Sequence, residues 1–220
     1  MGNSTLKKCL GGVDMNTITR YIAVILISSL MLGIPGCSAK VGVSQKRACE
    51  AFDKFGAKKL EEADDLVRRV LNNNYECEGG CYYTTDDEDK ARLIVENIIV
   101  HRDERPDRDY QACTYFVATS EEDDRVAYIY VITFGDKKDA AERFNDTSNS
   151  FSNQNNYTSG STSGIEYAVC NYDLSMQTMS GVYKQGNTVL WITAYAPDTS
   201  GLKPYEGIIN GMGLVSPLGA

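Results

Sequence analysis

The sequence predicts an α+β domain, a mainly antiparallel sheet with helices packed on one face. Three observations carry that expectation. Apolar residues recur every three or four positions between Ser44 and Asn72, the period of a helix with one buried side. Short runs rich in aromatic and β-branched residues fill 114–134 and 165–196, as strands require. Acidic or Gly/Asn-bearing turns separate those runs, so successive strands join as hairpins and run antiparallel.

The first helix is expected from about Ser44 to Asn72. Ala48, Cys49, Phe52, Phe55, Leu60, Ala63, Leu66, Val67, Val70 and Leu71 form its buried side, and Gly56 is where it bends or breaks. After the turn-rich stretch Asn74–Gly80, Cys81-Tyr82-Tyr83-Thr84 reads as a short strand. Thr85-Asp86-Asp87-Glu88 matches a capping box, so a second helix runs from Asp86 to about Ile99. Residues 101–110, charged and holding Pro106, form a loop. Residues 114–119 and 126–134 pair as a hairpin across Glu121-Glu122-Asp123-Asp124, and the second of these strands, apolar on both faces, is central.

Asp136 caps a third helix through Ala140, Ala141 and Phe144. Seventeen of the twenty residues 145–164 are Ser, Thr, Asn, Gln or Gly, a composition unable to bury a core, so this helix is expected to fade into a flexible loop. Ile165–Asn171 is a strand, Met176–Tyr183 and Thr188–Ala196 form a hairpin around Gln185-Gly186-Asn187, and Pro204 opens a last helix to about Met212. From Cys81 to Asn171 the order is β-α-β-β-α-β, which resembles the ferredoxin-like split βαβ pattern.

The amino-terminal segment has a different character. Lys7, Lys8 and Arg20 precede the apolar run Tyr21–Ile34, and Pro35-Gly36-Cys37 follow it. A basic segment, an apolar stretch and small residues in that order describe a secretory signal. The run rises about 21 Å as a helix, short of the roughly 30 Å hydrocarbon core. Ile34-Pro35-Gly36-Cys37 resembles the bacterial lipobox, with Pro35 departing from the small residue usual there. The resemblance implies a diacylglycerol with palmitate-type chains on the Cys37 sulfur, and cleavage after Gly36. Residues 1–36 are then a signal peptide, 37–43 a lipidated tether and 44–220 one domain on the extracytoplasmic face of a bacterial cell membrane. Gly11-Gly12 can be encoded by a sequence like a ribosome-binding site, which makes Met15 a candidate start.

Composition narrows the functions. Net charge is −8 and the pI about 4.8, which argues against non-specific nucleic-acid binding, since neutralising phosphates takes excess Lys and Arg. One histidine, His101, leaves no multi-His metal site. No GxSxG elbow or P-loop is present, and neither a catalytic residue nor a cofactor is assigned. Of seven cysteines, Cys9 leaves with the leader and Cys37 takes the lipid; Cys77 and Cys81 flank Glu78-Gly79-Gly80, and export permits their oxidation to a disulfide. A competing pair is Cys113 with Cys170, if their strands are neighbours. The acidic clusters 61–65, 86–89 and 121–124 lack the spacing of a calcium loop and read as a helix face, a helix start and a hairpin turn. Among fourteen tyrosines, Tyr82, Tyr83, Tyr110, Tyr115, Tyr128, Tyr130 and Tyr167 are candidates for carbohydrate or peptide recognition, although strand propensity favours a core role. Trp191, between Leu190 and Ile192, reads as core.

The expected function is a membrane-anchored binding or protein-interaction module, its partner an envelope protein or a small-molecule ligand. The alternatives are an envelope enzyme using paired carboxylates, or a thiol or metal protein using Cys77 and Cys81.

Overall fold

The computed structural model describes residues 41–71, 79–99, 108–120, 125–154 and 156–219. The signal segment, Cys37, Cys77, His101 and the acidic turn 121–124 lie outside them. The elements run α1 (Gln45–Phe55), β1 (Lys58–Lys59), α2 (Ala63–Leu71), β2 (Cys81–Thr85), α3 (Glu88–Ile94) with a π-helical turn (Val95–Ile99), and β3 (Tyr110–Ser120). They continue as β4 (Arg125–Phe134), α4 (Lys137–Phe151), β5 (Tyr157–Thr162), β6 (Ile165–Asp173), β7 (Thr178–Gln185), β8 (Thr188–Tyr195) and α5 (Thr199–Gly211). The strands form one sheet in the order β1-β2-β3-β4-β8-β7-β6-β5, antiparallel except for β1 with β2. The α+β class and the mainly antiparallel sheet are therefore as expected.

Two details differ. Helices cover both faces of the sheet rather than one. Residues of α1 and α5 pack with Phe116, Ile129, Val131, Leu190 and Ile192 on the first face. On the second, α2, α3 and α4 pack with Val117, Ile132, Phe134, Val182 and Val189. The alternation of β4 explains this: its odd and even residues are both apolar, so neither face can be left to water. The ferredoxin-like order is also absent. β2 pairs directly and antiparallel with β3, and α4 carries the chain from the middle of the sheet to its far edge, from which β5 to β8 return as a meander.

The predicted first helix is two helices on opposite faces. Ser44 Oγ accepts from the Arg47 amide at 3.3 Å to start α1, and Gly56, at φ 91°, ends it. Lys58 and Leu60 amides then bond to the Gly80 and Tyr82 carbonyls, so the chain crosses from one face to the other along the sheet edge. The capping residue of α3 is Asp87, two residues later than the capping-box match: its carboxylate accepts from the Lys90 amide at 3.0 Å, while Thr85 Oγ1 accepts from the Asp87 amide. The last helix likewise starts early, because Asp198 caps it by accepting from the Gly201 amide, and this places Pro204 inside the helix.

The Ser/Asn-rich stretch departs most from expectation. α4 continues to Phe151 and 157–162 form the edge strand β5. Phe151 is buried and Tyr157 packs against the same core, so two aromatic anchors, with buried Thr147, hold a segment that is otherwise polar and mostly exposed. Backbone pairing with β6 supplies what side chains do not.

A polar row closes one end of the first-face core. Gln45 on α1 donates from Nε2 to the Val131 carbonyl at 3.0 Å and to Thr133 Oγ1 at 3.3 Å, and its Oε1 accepts from Thr114 Oγ1. Thr84 bonds Thr114, and Thr133 bonds Thr188. On β7, Gln185 Oε1 accepts from the Val43 amide at 2.9 Å. Five strands thus fix the start of α1.

Candidate binding site

Cross-strand register places one row of side chains on the second face: Tyr83, Tyr115, Tyr130, Trp191, Val182 and Ala168, from β2, β3, β4, β8, β7 and β6. Val182 and Ala168 occupy one end of this row, where α4 lies and inserts Phe144 and Phe151. Aromatic residues occupy the other four places. Tyr115 and Tyr130 stack at 6.3 Å, Trp191 meets Tyr130 edge-on at 5.2 Å, and Phe151 meets Trp191 edge-on at 6.5 Å.

Arg143, from the middle of α4, lies over this cluster. Its guanidinium carbon is 5.5 Å from the indole centroid, within the range of a cation–π contact worth about 0.5–2 kcal/mol. Its Nη2 is 3.5 Å from the Tyr130 hydroxyl. Burial pushes the Tyr130 phenol well above its ordinary value, an effect opposed in part by the Arg143 charge, so the group stays protonated. A second guanidinium, Arg108, is buried at 4% exposure and stands 3.7 Å from Asp146, one turn along α4 from Arg143.

The Trp191 indole Nε1 is buried and meets no hydrogen-bond acceptor among the described residues. A buried donor left unpaired costs about 1–3 kcal/mol. Such a donor, beside a guanidinium and between aromatic rings, suits an acceptor atom on a flat, partly apolar molecule. On the first face three tyrosine hydroxyls are paired. Tyr82 donates to Asp53 at 2.6 Å, Tyr183 to the Val215 carbonyl at 2.6 Å and Tyr172 to the Pro197 carbonyl at 2.9 Å.

The structure brings together Tyr83, Tyr115 and Tyr130 from the candidate tyrosines, whereas Tyr82 and Tyr167 serve the other face. Trp191, expected as plain core, is partly exposed and holds the orphaned donor. Arg143 gave no sequence signal. Its one legible trait is its place on a helix that covers the chain's single tryptophan.

Cys81 opens β2 and is buried, while its expected partner Cys77 lies outside the described residues. The competing pairing fails. Cys113 is on β3 and Cys170 on β6, with β4, β8 and β7 between them, about 19 Å at normal strand spacing against the roughly 4.4–6.8 Å a disulfide spans. Both are free thiols, and burial pushes Cys113 strongly up and Cys170 up to about 11, so both stay protonated and unreactive at neutral pH. Asp173 and Asp198 are held below the ordinary carboxylate value by donors from Ser175 and Ser200 and nearby backbone amides, the reverse of a raised catalytic acid. Among the described residues no three His, Cys, Asp or Glu side chains gather as a metal site, and no helix is long and apolar enough to cross a membrane.

No family model matches the chain, and no curated protein matches it. Two solved structures resemble it weakly. The extracellular domain of PknH from Mycobacterium tuberculosis aligns with a TM-score of 0.34 and 11% identity, over 78% of this chain and 97% of that one. An uncharacterised protein from Mycobacterium smegmatis aligns with a TM-score of 0.25 and 8% identity, over 60% of this chain and 76% of that one. Likenesses of this size carry no argument about function.

Proposed function

We propose that this chain is an extracytoplasmic lipoprotein, held to the bacterial membrane by a diacylglycerol on Cys37, whose body binds a small planar ligand carrying a carboxylate. Support for the anchor comes from the order of bases, apolar run and Ile34-Pro35-Gly36-Cys37. Two acyl chains hold a protein stably, at about 0.8 kcal/mol per buried CH₂. Only Ser38, Ala39 and Lys40 separate Cys37 from Val41, where the described body begins.

The observation that carries the binding reading is the unpaired Trp191 Nε1 beside Arg143. An aromatic carboxylate would place its ring against Tyr130 and Trp191, accept from the indole N–H, and pair with the guanidinium. Trp191 is the only tryptophan, so intrinsic fluorescence reports this site alone. Titration with benzoate is expected to change that fluorescence saturably, and benzylamine is expected not to. Arg143→Ala is expected to abolish the response. A flat titration with benzoate ends this ligand assignment. For the anchor, the intact mass of detergent-extracted protein is expected to begin at Cys37 with added acyl chains; an unmodified Cys37 rejects it. Cys77 and Cys81 would add a disulfide closing the turn before β2, read as a mass gain on alkylation only after reduction.

A further inference from the structure

We infer that β5 is a self-pairing edge, through which two copies of this chain join their sheets about a two-fold axis at Gly160. The two edges of the sheet are built differently. β1 is two residues long and consists of lysines, Lys58 and Lys59, a common way of blocking edge pairing. β5 is six residues long, its side chains from Thr158 to Thr162 are exposed, and it holds no charge, proline or bulge.

Its sequence reads the same in both directions: Thr158-Ser159-Gly160-Ser161-Thr162. Antiparallel self-pairing about Gly160 sets each Thr158 against the other copy's Thr162 and each Ser159 against its Ser161. Thr and Ser pairs of this kind hydrogen-bond across strands.

The backbone has the matching phase. Ser163 and Gly164 have φ of 52° and 77°, the signature of a type I′ turn, so its closing pair Thr162–Ile165 exchanges hydrogen bonds. The Asn171 amide bonds the Asn156 carbonyl, which fixes the same parity at the other end. Asn156, Thr158, Gly160 and Thr162 therefore turn their backbone groups toward β6. Ser159 and Ser161 turn theirs outward, symmetrically about Gly160. A two-fold axis there makes four backbone hydrogen bonds. Gly160 itself becomes the close, non-bonded pair at the axis, while on the first face the Tyr167 ring fills the place a Cβ would take, its hydroxyl 2.7 Å from that position. The pairing is reversible, because a six-residue edge buries far less than the about 800 Å² per partner of a standard interface.

The test uses full-length protein in detergent solution. Across the proposed axis the two Ser161 residues lie about 8 Å apart, so Ser161→Cys treated with a short bis-maleimide is expected to give covalent dimer severalfold above Ser175→Cys, an exposed control on the β6–β7 turn. Adding Ser159→Lys is expected to reduce the yield to the control level. Ser159 is exposed and its backbone faces outward, so this variant keeps its thermal midpoint, and loss of cross-linking then reports lost pairing rather than unfolding. Equal cross-linking at positions 161 and 175, or no effect of Ser159→Lys at unchanged midpoint, overturns the proposal. Neither result bears on ligand binding at Trp191.

Discussion

The two faces of one sheet are finished to different standards. On the first, α1 and α5 close over aromatic and aliphatic side chains, the tyrosine hydroxyls find acceptors, and Gln45 joins the row of threonines at the end of the core. On the second, Arg143 from α4 lies over Trp191, and the indole nitrogen has no acceptor among the described residues. Buried polar groups are paired as a rule, and the Trp191 Nε1 is one of four buried side-chain atoms among the described residues that depart from it. Both faces bury a core, and they differ in how the polar atoms of their aromatic side chains are paired.

The contrast is broken most severely at Phe52, fully buried on α1 and stacked on Phe116 at 4.7 Å. Phe52→Ala is expected to cost about 3–5 kcal/mol in chemical denaturation, whereas a cost below 1 kcal/mol, by the same scale, means the first face is less closely packed than described. Gln45→Ala is expected to cost about 1–3 kcal/mol, because it leaves the buried Thr114 hydroxyl and the Val131 carbonyl short of a partner. On the second face the sign reverses. Trp191→Phe removes the orphaned donor and is expected to leave stability unchanged or raise it by up to about 1 kcal/mol, while benzoate binding, followed by calorimetry, is lost. A large loss of stability in Trp191→Phe contradicts the contrast.

The smallest effect is in acid. Asp173 and Asp198 have lowered pKa values in the folded state, so their contribution is present above the unfolded-state value near 3.9 and disappears as pH falls through the folded value. Asp173→Asn and Asp198→Asn are expected to lower the thermal midpoint slightly at pH 7 and to make no difference at pH 2. Both groups are exposed, and an effect as large as that of Gln45→Ala would mean that these turns hold the fold together.

Features written in a few neighbouring residues were legible from the sequence. Asp136 caps its helix as expected and the first helix starts at Ser44, since a cap needs only a side-chain oxygen and an amide three residues on. The β3–β4 and β7–β8 hairpins follow from their turns and strand runs. Sheet order was not legible, because nothing local says that α4 crosses three strands before the chain turns back. β5 was missed for a related reason: its strand character comes from pairing with Ile165–Cys170, not from its own side chains. The candidate site joins Tyr130, Arg143 and Trp191, which only the β4–β8 register and the course of α4 bring within 6 Å of one another. Tyrosine abundance did not separate the two faces.

The stitching of residues 42–45 also has a mechanical consequence. Gly42 bonds the Met212 carbonyl, Val43 bonds Gln185 on β7, and Gln45 bonds β4. A pull entering the body at Val41 is therefore shared among several interior attachments at once. A chain that entered through β5 would instead unzip one bond at a time. Under tension applied at Val41, the domain is gripped near its middle and resists being peeled from an edge.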